Sequence, residues 1–497
     1  MREIIYIQAG SLANYIGTHF WNAQESYFTY GDEDESIANH DISFKEGRDN
    51  HSNPTLCPRL LAFDNKSQFG TLAKFRNAEE DQAAAATWGG EVVQHNQDPV
   101  PPSEYHIRLE EGEDEHSDDP EDTPADAKIR YWSDFSRVFF DPKTVQMVPD
   151  TQETAEGDWN IGQELYQRYN EETELMDGAF RLLVEDCNNF QGLQVVHETT
   201  NFGSFTSSLL TTFRDEYRKA PILTFDLLSN ALPADLDVGQ SSELKKALND
   251  AMCLYNLNEL SDMNIPLQHP SYWAKASWRG ELNFDRDSMY HVSAIVSAHM
   301  ETSTLPLRLK NSGDDLSSIG AQLNWRRGSR FGELSGILPA SLPLPLDAFS
   351  RNLFNFSTLS SFSPAQAPFA RRDVTRGFSA DHLKTYSDWC ELVSLREPFL
   401  ARTEAPPYPL PSSFPPILSA RPRSTAMFSA LSTGPSTASL ICSYAKFVDG
   451  CARRKNGIIM GIEDDDIKNL ANELWTIYDN SGGEEEVEEI ERGEDEE

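Results

Sequence analysis

The first residues, MREIIYIQAGSLANYIGTHFW, constrain the fold more than any other stretch of the chain. Glu3–Ala9 is a short, nearly continuous apolar run, the pattern of a strand buried on both faces of a parallel sheet. A turn bracketed by Gly10 and Gly17 follows and leads into a helix. Strand, turn and helix in this order form the frame on which phosphate cradles are built, because the first N–H groups of a helix face an anion there. The frame does not bind by itself. Its lining is read from later loops.

The alternation continues along the chain. Further strand candidates are Arg59–Phe63, Arg137–Phe140, Gly192–Val196 and Pro221–Leu228. Between them, Leu165, Tyr169, Met176, Phe180 and Leu183 or Val184 recur at helical spacing and predict a helix over about 163–185, with a second over about Ser207–Tyr217. Strands alternating with helices predict an α/β fold with a Rossmann-type parallel sheet, whose ligands bind beyond the carboxyl ends of the strands. Residues 94–128 are Pro-rich and acidic without periodicity and read as a disordered insertion into the first domain, 1–93 with 129–262. The remainder, 263–480, reads as an α+β C-terminal region. Within it, Glu404–Pro416 resembles an extended polyproline-type connector, and Ile337–Leu346 is similar. Asp464–Asn480 carries Ile467, Leu470, Leu474 and Ile477 on one face, predicting a docked helix ahead of an acidic tail, 481–497.

Charge narrows the partners. The 497-residue chain is 39% hydrophobic, enough for a substantial core, and has a formal net charge of −38. About half of that excess sits in Glu110–Asp122 and Glu484–Glu497, blocks that repel themselves and stay solvated. The sign argues against nucleic acid and anionic lipid and leaves basic protein partners. Six separated cysteines, without a C-x-x-C pair, read as free thiols in a reducing compartment. No apolar run is long enough to span a bilayer, and the N-terminus is unlike a transit peptide, so no cleaved presequence is expected. His19 reads as a partly exposed helical histidine and His197 as a buried one with a satisfied ring. Arg326–Arg327, Arg371–Arg372 and Arg453–Lys455 read as solvated or paired basic clusters. Neither a G-x-S-x-G nucleophile motif nor zinc-ligand spacing occurs, so no catalytic or metal-binding residue is assigned.

Particular residues carry a resemblance. "MREI", "IQAG", Asn14, "IG" at Ile16–Gly17 and "FW" at Phe20–Trp21 resemble the N-terminus of tubulin without a gap. "GDWNIG" at Gly157–Gly162, "FQGLQVVH" at Phe190–His197 and "RDEY" at Arg214–Tyr217 follow in tubulin order, so about the first 300 residues resemble the tubulin superfamily. "GTHFWN" (Gly17–Asn22), "NHDISF" (Asn39–Phe44) and "DCNNFQGLQV" (Asp186–Val195) are similar to the Misato family, including its fungal branch. That resemblance implies a tubulin-like fold and a part in mitochondrial inheritance, distribution and morphology and in mitochondrial DNA partitioning. It also implies a link to the cytosolic chaperonin that folds tubulin.

The same resemblance locates a nucleotide site and marks its decay. Gly10, Asn14 and Gly17 keep the first loop, while Ser11, Leu12 and Ala13 replace its contacting groups. Asp64 matches the tubulin aspartate, but Lys66 stands where a magnesium-side Glu belongs, either replacing the metal's charge or pointing into water. The glycine-rich loop has become "TNFGSFT", Thr200–Thr206, with Gly203 alone surviving. Side chains forced into left-handed geometry cost about 1–2 kcal/mol each, and each lost charge-assisted hydrogen bond costs about 1.5–3 kcal/mol. Two or three such losses remove most of the roughly 8 kcal/mol behind micromolar binding. Asn249 falls where the superfamily reads guanine, or else lies on a helix surface; Asp285 and Met289 replace a stacking Tyr and a base-reading Asn. In the loop expected to activate hydrolysis, "GDDLSSIG", Asp315 is present but Ser318 takes the place of the acid.

The expectation is therefore a non-catalytic interaction scaffold without a cofactor, GTP being disfavoured. It would act in the cytoplasm and at the cytosolic face of the mitochondrion through protein partners, among them chaperonin or cytoskeletal proteins. A slow GTPase with an altered phosphate loop and a chaperonin-associated assembly factor for tubulin or actin are the alternatives.

Overall fold

The computed structural model describes residues 2–28, 36–48, 54–73, 100–111, 129–150, 157–234, 236, 241–275, 282–326, 328, 330–339, 346–358, 367–393, 399–418, 422–454 and 462–482. Six strands, β1 (Glu3–Ala9), β2 (Leu60–Asn65), β3 (Val145–Val148), β4 (Phe190–Glu198), β5 (Ile222–Leu227) and β6 (Met263–Leu267), form one sheet in the order β3-β2-β1-β4-β5-β6. Every pairing is parallel. Strand β1 alternates between two cores: Ile4 and Tyr6 enter one and Ile5 and Ile7 the other, which is why its sequence is apolar at nearly every position. Strand order reverses between β1 and β4, so the crevice at their carboxyl ends is the topological switch point.

Seven principal helices cover the sheet: α1 (Ser11–Glu25), α2 (Trp159–Thr173), α3 (Thr199–Glu216), α4 (Ser241–Leu260), α5 (Met289–Thr304), α6 (Pro435–Arg454) and α7 (Asp464–Asn480). Helices α1 and α5 share the first core, and α2, α3, α4, α6 and α7 the second. Ile467, Leu470, Leu474 and Ile477 of α7 are all buried, as their spacing predicts, against α6 and α4. A second sheet, β7 (Glu333–Ile337), β8 (Phe354–Asn355), β9 (Ala370–Arg376), β10 (Leu400–Ala405) and β11 (Met427–Thr433), runs β8-β7-β11-β9-β10, with only β9 and β10 parallel. Helix α5 is buried throughout Tyr290–Thr304 because it is sandwiched between α1 and this sheet.

Several expectations are corrected. Arg137–Phe140 is not a strand; the edge strand is β3, downstream of it. Met263–Leu267 completes the first sheet, so the domain boundary expected at 262 falls one strand short; Pro266 disguises this strand in the sequence. The helix predicted over 163–185 stops at Thr173, where Glu174 takes a left-handed φ of 49°, and resumes through a π-helical turn at Met176–Phe180. The segment 94–128, read as structureless, contains a helix at Glu104–Glu111 with Tyr105 buried; 94–99 and 112–128 lie outside the described residues, as does the tail from 483.

The Pro-rich segment 404–416 is likewise more than a connector. Its start belongs to β10, and Tyr408–Pro409 pairs with Ser424–Thr425. Buried Ser413 then accepts the Asn22 amide from α1 at 2.9 Å, and its carbonyl accepts the Tyr290 hydroxyl from α5 at 2.7 Å.

Candidate functional site

Gly10, Asp64 and Glu198 converge at the switch point, from the ends of β1, β2 and β4. Gly10 precedes α1 with φ 106°, a conformation that favours glycine, and its N–H donates to the Phe63 carbonyl at 3.0 Å. A Cβ at Gly10 would come within 2.8 Å of Glu198 Cδ. The Glu198 carboxylate accepts the Leu12 N–H in the first turn of α1. A helix N-terminus presents unpaired N–H groups and partial positive charge and so attracts an anion; here a carboxylate of the chain itself supplies it.

Asp64 is held from two sides. Oδ1 accepts Ser11 Oγ at 3.0 Å and the Asn65 N–H at 2.9 Å, while Oδ2 accepts Asn14 Nδ2 and Trp132 Nε1, each at 3.2 Å. Burial pushes its pKa up to about 6 against the opposing pull of these donors. Asn14 Nδ2 also donates to the Phe63 carbonyl at 2.9 Å, leaving Oδ1 without a partner. Gly17 lies against Gln8, whose side chain occupies the space a Cβ would need. It therefore serves close helix–sheet packing.

The region read as a degenerate glycine loop is not a loop. Helix α3 starts at Thr199, directly after β4, and contains all of Thr200–Thr206. The expected cost of left-handed side chains does not arise, because the segment adopts a right-handed helix instead. Beyond its first turn its N–H groups are committed to carbonyls four residues back and cannot cradle a phosphate. Phe202, Phe205, Leu209 and Phe213 are buried in one core; their spacing was the available signal that the helix reaches back through the loop. Gly203 is a packing residue: a Cβ there would collide with Cys253 Sγ on α4.

Asn249 is not a surface residue. It is 2% exposed and ties α4 to the Gly157 carbonyl at 2.9 Å and the Thr200 carbonyl at 3.1 Å; its Oδ1 has no partner. Its neighbour Asp250, which the sequence did not single out, accepts Thr199 Oγ1 at 2.5 Å, Ser229 Oγ at 2.7 Å and the Tyr444 hydroxyl at 3.0 Å, linking α3, α4 and α6. Burial raises its pKa to about 6 against these hydrogen bonds. Glu198, Trp132 and Asp250 were missed because their roles depend on partners distant in sequence.

Other positions resolve individually. His19 is buried rather than partly exposed, packed by Phe135 and Tyr290 with ring centroids 4.5 and 5.3 Å away; burial pushes its pKa down to about 3. His197 is buried and pairs with Asp226 at 3.1 Å, but its Nδ1 has no partner. Lys66, Asp285 and Met289 are exposed. Asp315 and Ser318 form a reciprocal cap on the helix Leu316–Leu323. Arg371 is buried in a fork on Asp373, both contacts at 2.7 Å, and Arg372 pairs with Asp314 at 2.6 Å. Arg326 lies 4.0 Å over the Phe369 ring, and Arg453 pairs with Asp449; Arg327 and Lys455 are outside the described residues. Among the described residues, no group of three or more His, Cys, Asp or Glu could hold a metal ion, and no helix is long and apolar enough to cross a membrane.

Asp64, Glu198, Asp226 and Asp250 thus place four carboxylates around the end of the sheet where the fold would receive a polyanion. Hydrogen bonds hold them within the protein.

Comparison with known proteins agrees with this architecture. Residues 2–111 match the family profile described as the Misato Segment II tubulin-like domain, and residues 121–309 match a Tubulin domain. The chain is 36% identical over 326 residues to Protein DML1 of Gibberella zeae, covering 63% of this chain and 62% of that protein. It is 35% identical to Protein DML1 of Phaeosphaeria nodorum, covering 63% of this chain and 60% of that one. With Protein misato of Drosophila melanogaster the identity is 28%, over 63% of this chain and 61% of the relative. The matched region spans about three fifths of each of these relatives. With adjoining Misato-type and tubulin-type matches that together build one sheet, and relatives of this kind from fungi to an insect, the chain is similar to the Misato family of tubulin-like proteins.

Proposed function

We propose that this protein is a non-catalytic, tubulin-like interaction scaffold acting in mitochondrial inheritance, distribution and morphology and in mitochondrial DNA partitioning. The observation that carries the non-catalytic part is the continuous helix from Thr199 through the glycine-loop position. A triphosphate cradled along Thr200–Thr206 would need the backbone N–H groups from Gly203 onward, which the helix uses internally. It would also meet Glu198 at the first turn of α1 and Asp64 beside it. Similarity to the Misato family supports the mitochondrial part.

Native purification, denaturation and chromatography of the released small molecules test the first part. Substoichiometric guanine nucleotide is expected; a stoichiometric amount of GTP or GDP would instead favour a slow GTPase. Depletion in cells tests the second: mitochondrial distribution and DNA partitioning should become abnormal, and normal inheritance in depleted cells would refute it. The protein acts in the cytoplasm and at the cytosolic face of the organelle, with the acidic Glu484–Glu497 drawing in basic partners. Partner recovery after deletion of that tail should fall, and unchanged recovery would remove the tail from the mechanism.

A further inference from the structure

Glu198 is the carboxylate of the crevice that accepts a main-chain N–H of α1. Ser11, Asn14, Asn65 and Trp132 hold Asp64; Thr199, Ser229 and Tyr444 hold Asp250; His197 holds Asp226. Glu198 instead reaches across from the end of β4 to a backbone amide in the first turn of α1. The chain at Gly10 approaches it so closely that a Cβ would meet Glu198 Cδ at 2.8 Å. The glycine that would let backbone approach a phosphate here lets it approach the protein's own carboxylate. One turn into α1, Asn14 is fully buried and its Oδ1 has no partner, so polar capacity remains beneath the contact.

We propose that Glu198 is a built-in anion whose carboxylate occupies the phosphate position at the α1 N-terminus and thereby closes the crevice to phosphate. The proposal rests on the reading of this crevice as a degenerate nucleotide site, and it assigns the closure to one removable side chain. Gly10, Ser11 and the first turn of α1 keep their arrangement around that side chain. Removing the side chain uncovers a site for inorganic phosphate, not for a whole nucleotide, because α3 still fills the remainder.

The test compares full-length wild type, Glu198→Ala and Glu198→Ser by thermal unfolding in inorganic phosphate and in chloride at matched ionic strength. The wild-type midpoint should be the same in both salts, whereas Glu198→Ala should rise in phosphate only. If Glu198→Ala does not fold, Glu198→Ser carries the test: its short side chain vacates the position beside Gly10 and Leu12 and can still cap α3, so phosphate should stabilise it specifically. Absence of a phosphate-specific rise in the folded variants, or an equal rise in wild type, overturns the assignment. A silent variant refutes the plug and leaves the scaffold reading standing, whereas nucleotide recovered from wild type refutes the scaffold reading.

Discussion

Glu301→Gln tests what holds the two halves of the molecule together. Glu301, on α5, is fully buried; it accepts Gln24 Nε2 at 2.8 Å and the Tyr27 hydroxyl at 3.0 Å from the α1 region. It also pairs with Arg376 of β9 at 2.8 Å and Arg308 at 3.5 Å, both arginines being buried. The glutamine keeps size and one acceptor but removes the only carboxylate these contacts give the two guanidinium groups. Removing one partner from a buried ion pair costs about 3–5 kcal/mol, because the charge left behind stays desolvated. Arg376 retains the Pro406 and Pro407 carbonyls, at 2.8 and 3.1 Å, which sets the expected loss toward the lower end. Even about 3 kcal/mol is a large share of a typical net stability of roughly 5–15 kcal/mol. Urea unfolding should show a lower midpoint with an unchanged slope. Adding Arg376→Met should give a double variant more stable than the sum of the single losses predicts. A loss below about 1 kcal/mol, the range of solvated surface pairs, would refute the view that this cluster is a dry lock between the halves.

Gly203→Ala should destabilise the protein by about 1–3 kcal/mol through overpacking against Cys253, and Cys253→Ala in the same chain should recover most of the loss; no recovery would argue against a packing role. His19 has a pKa of about 3 against an ordinary 6.5, so the unfolded chain takes up its proton first as pH falls. The stability its neutral ring contributes is full above pH 6.5 and is lost toward pH 3, at about 1.4 kcal/mol per unit. Between pH 7 and 5 the advantage of wild type over His19→Leu should therefore shrink by about 2 kcal/mol in chemical denaturation, and a pH-independent difference would contradict the burial. Tyr444→Phe removes one donor from Asp250 and should cost about 1.5–3 kcal/mol. Faster amide exchange in α6 and α7 should accompany it, and unchanged exchange would show that Asp250 does not anchor that helix pair.

The sequence by itself determined the local elements whose signal is periodic. An apolar run with a glycine behind it specified β1 and its turn, and the four-residue rhythm of Ile467, Leu470, Leu474 and Ile477 specified α7, because burial against a neighbour imposes those periods whatever the neighbour is. The decay of the glycine loop was legible too, since glycine's conformational freedom is a property of the residue alone. Tertiary structure decided what replaced it. Residues 200–206 became helix because Phe202 and Phe205 found a core shared with α2 and α4. Gly203 and Gly17 serve packing because of what lies opposite them, Cys253 and Gln8, and the anion at α1 is Glu198 because β4 ends beside β1. Contacts between residues far apart in the chain carry no local pattern, so the filling of the crevice became visible only once the sheet order brought its strands together.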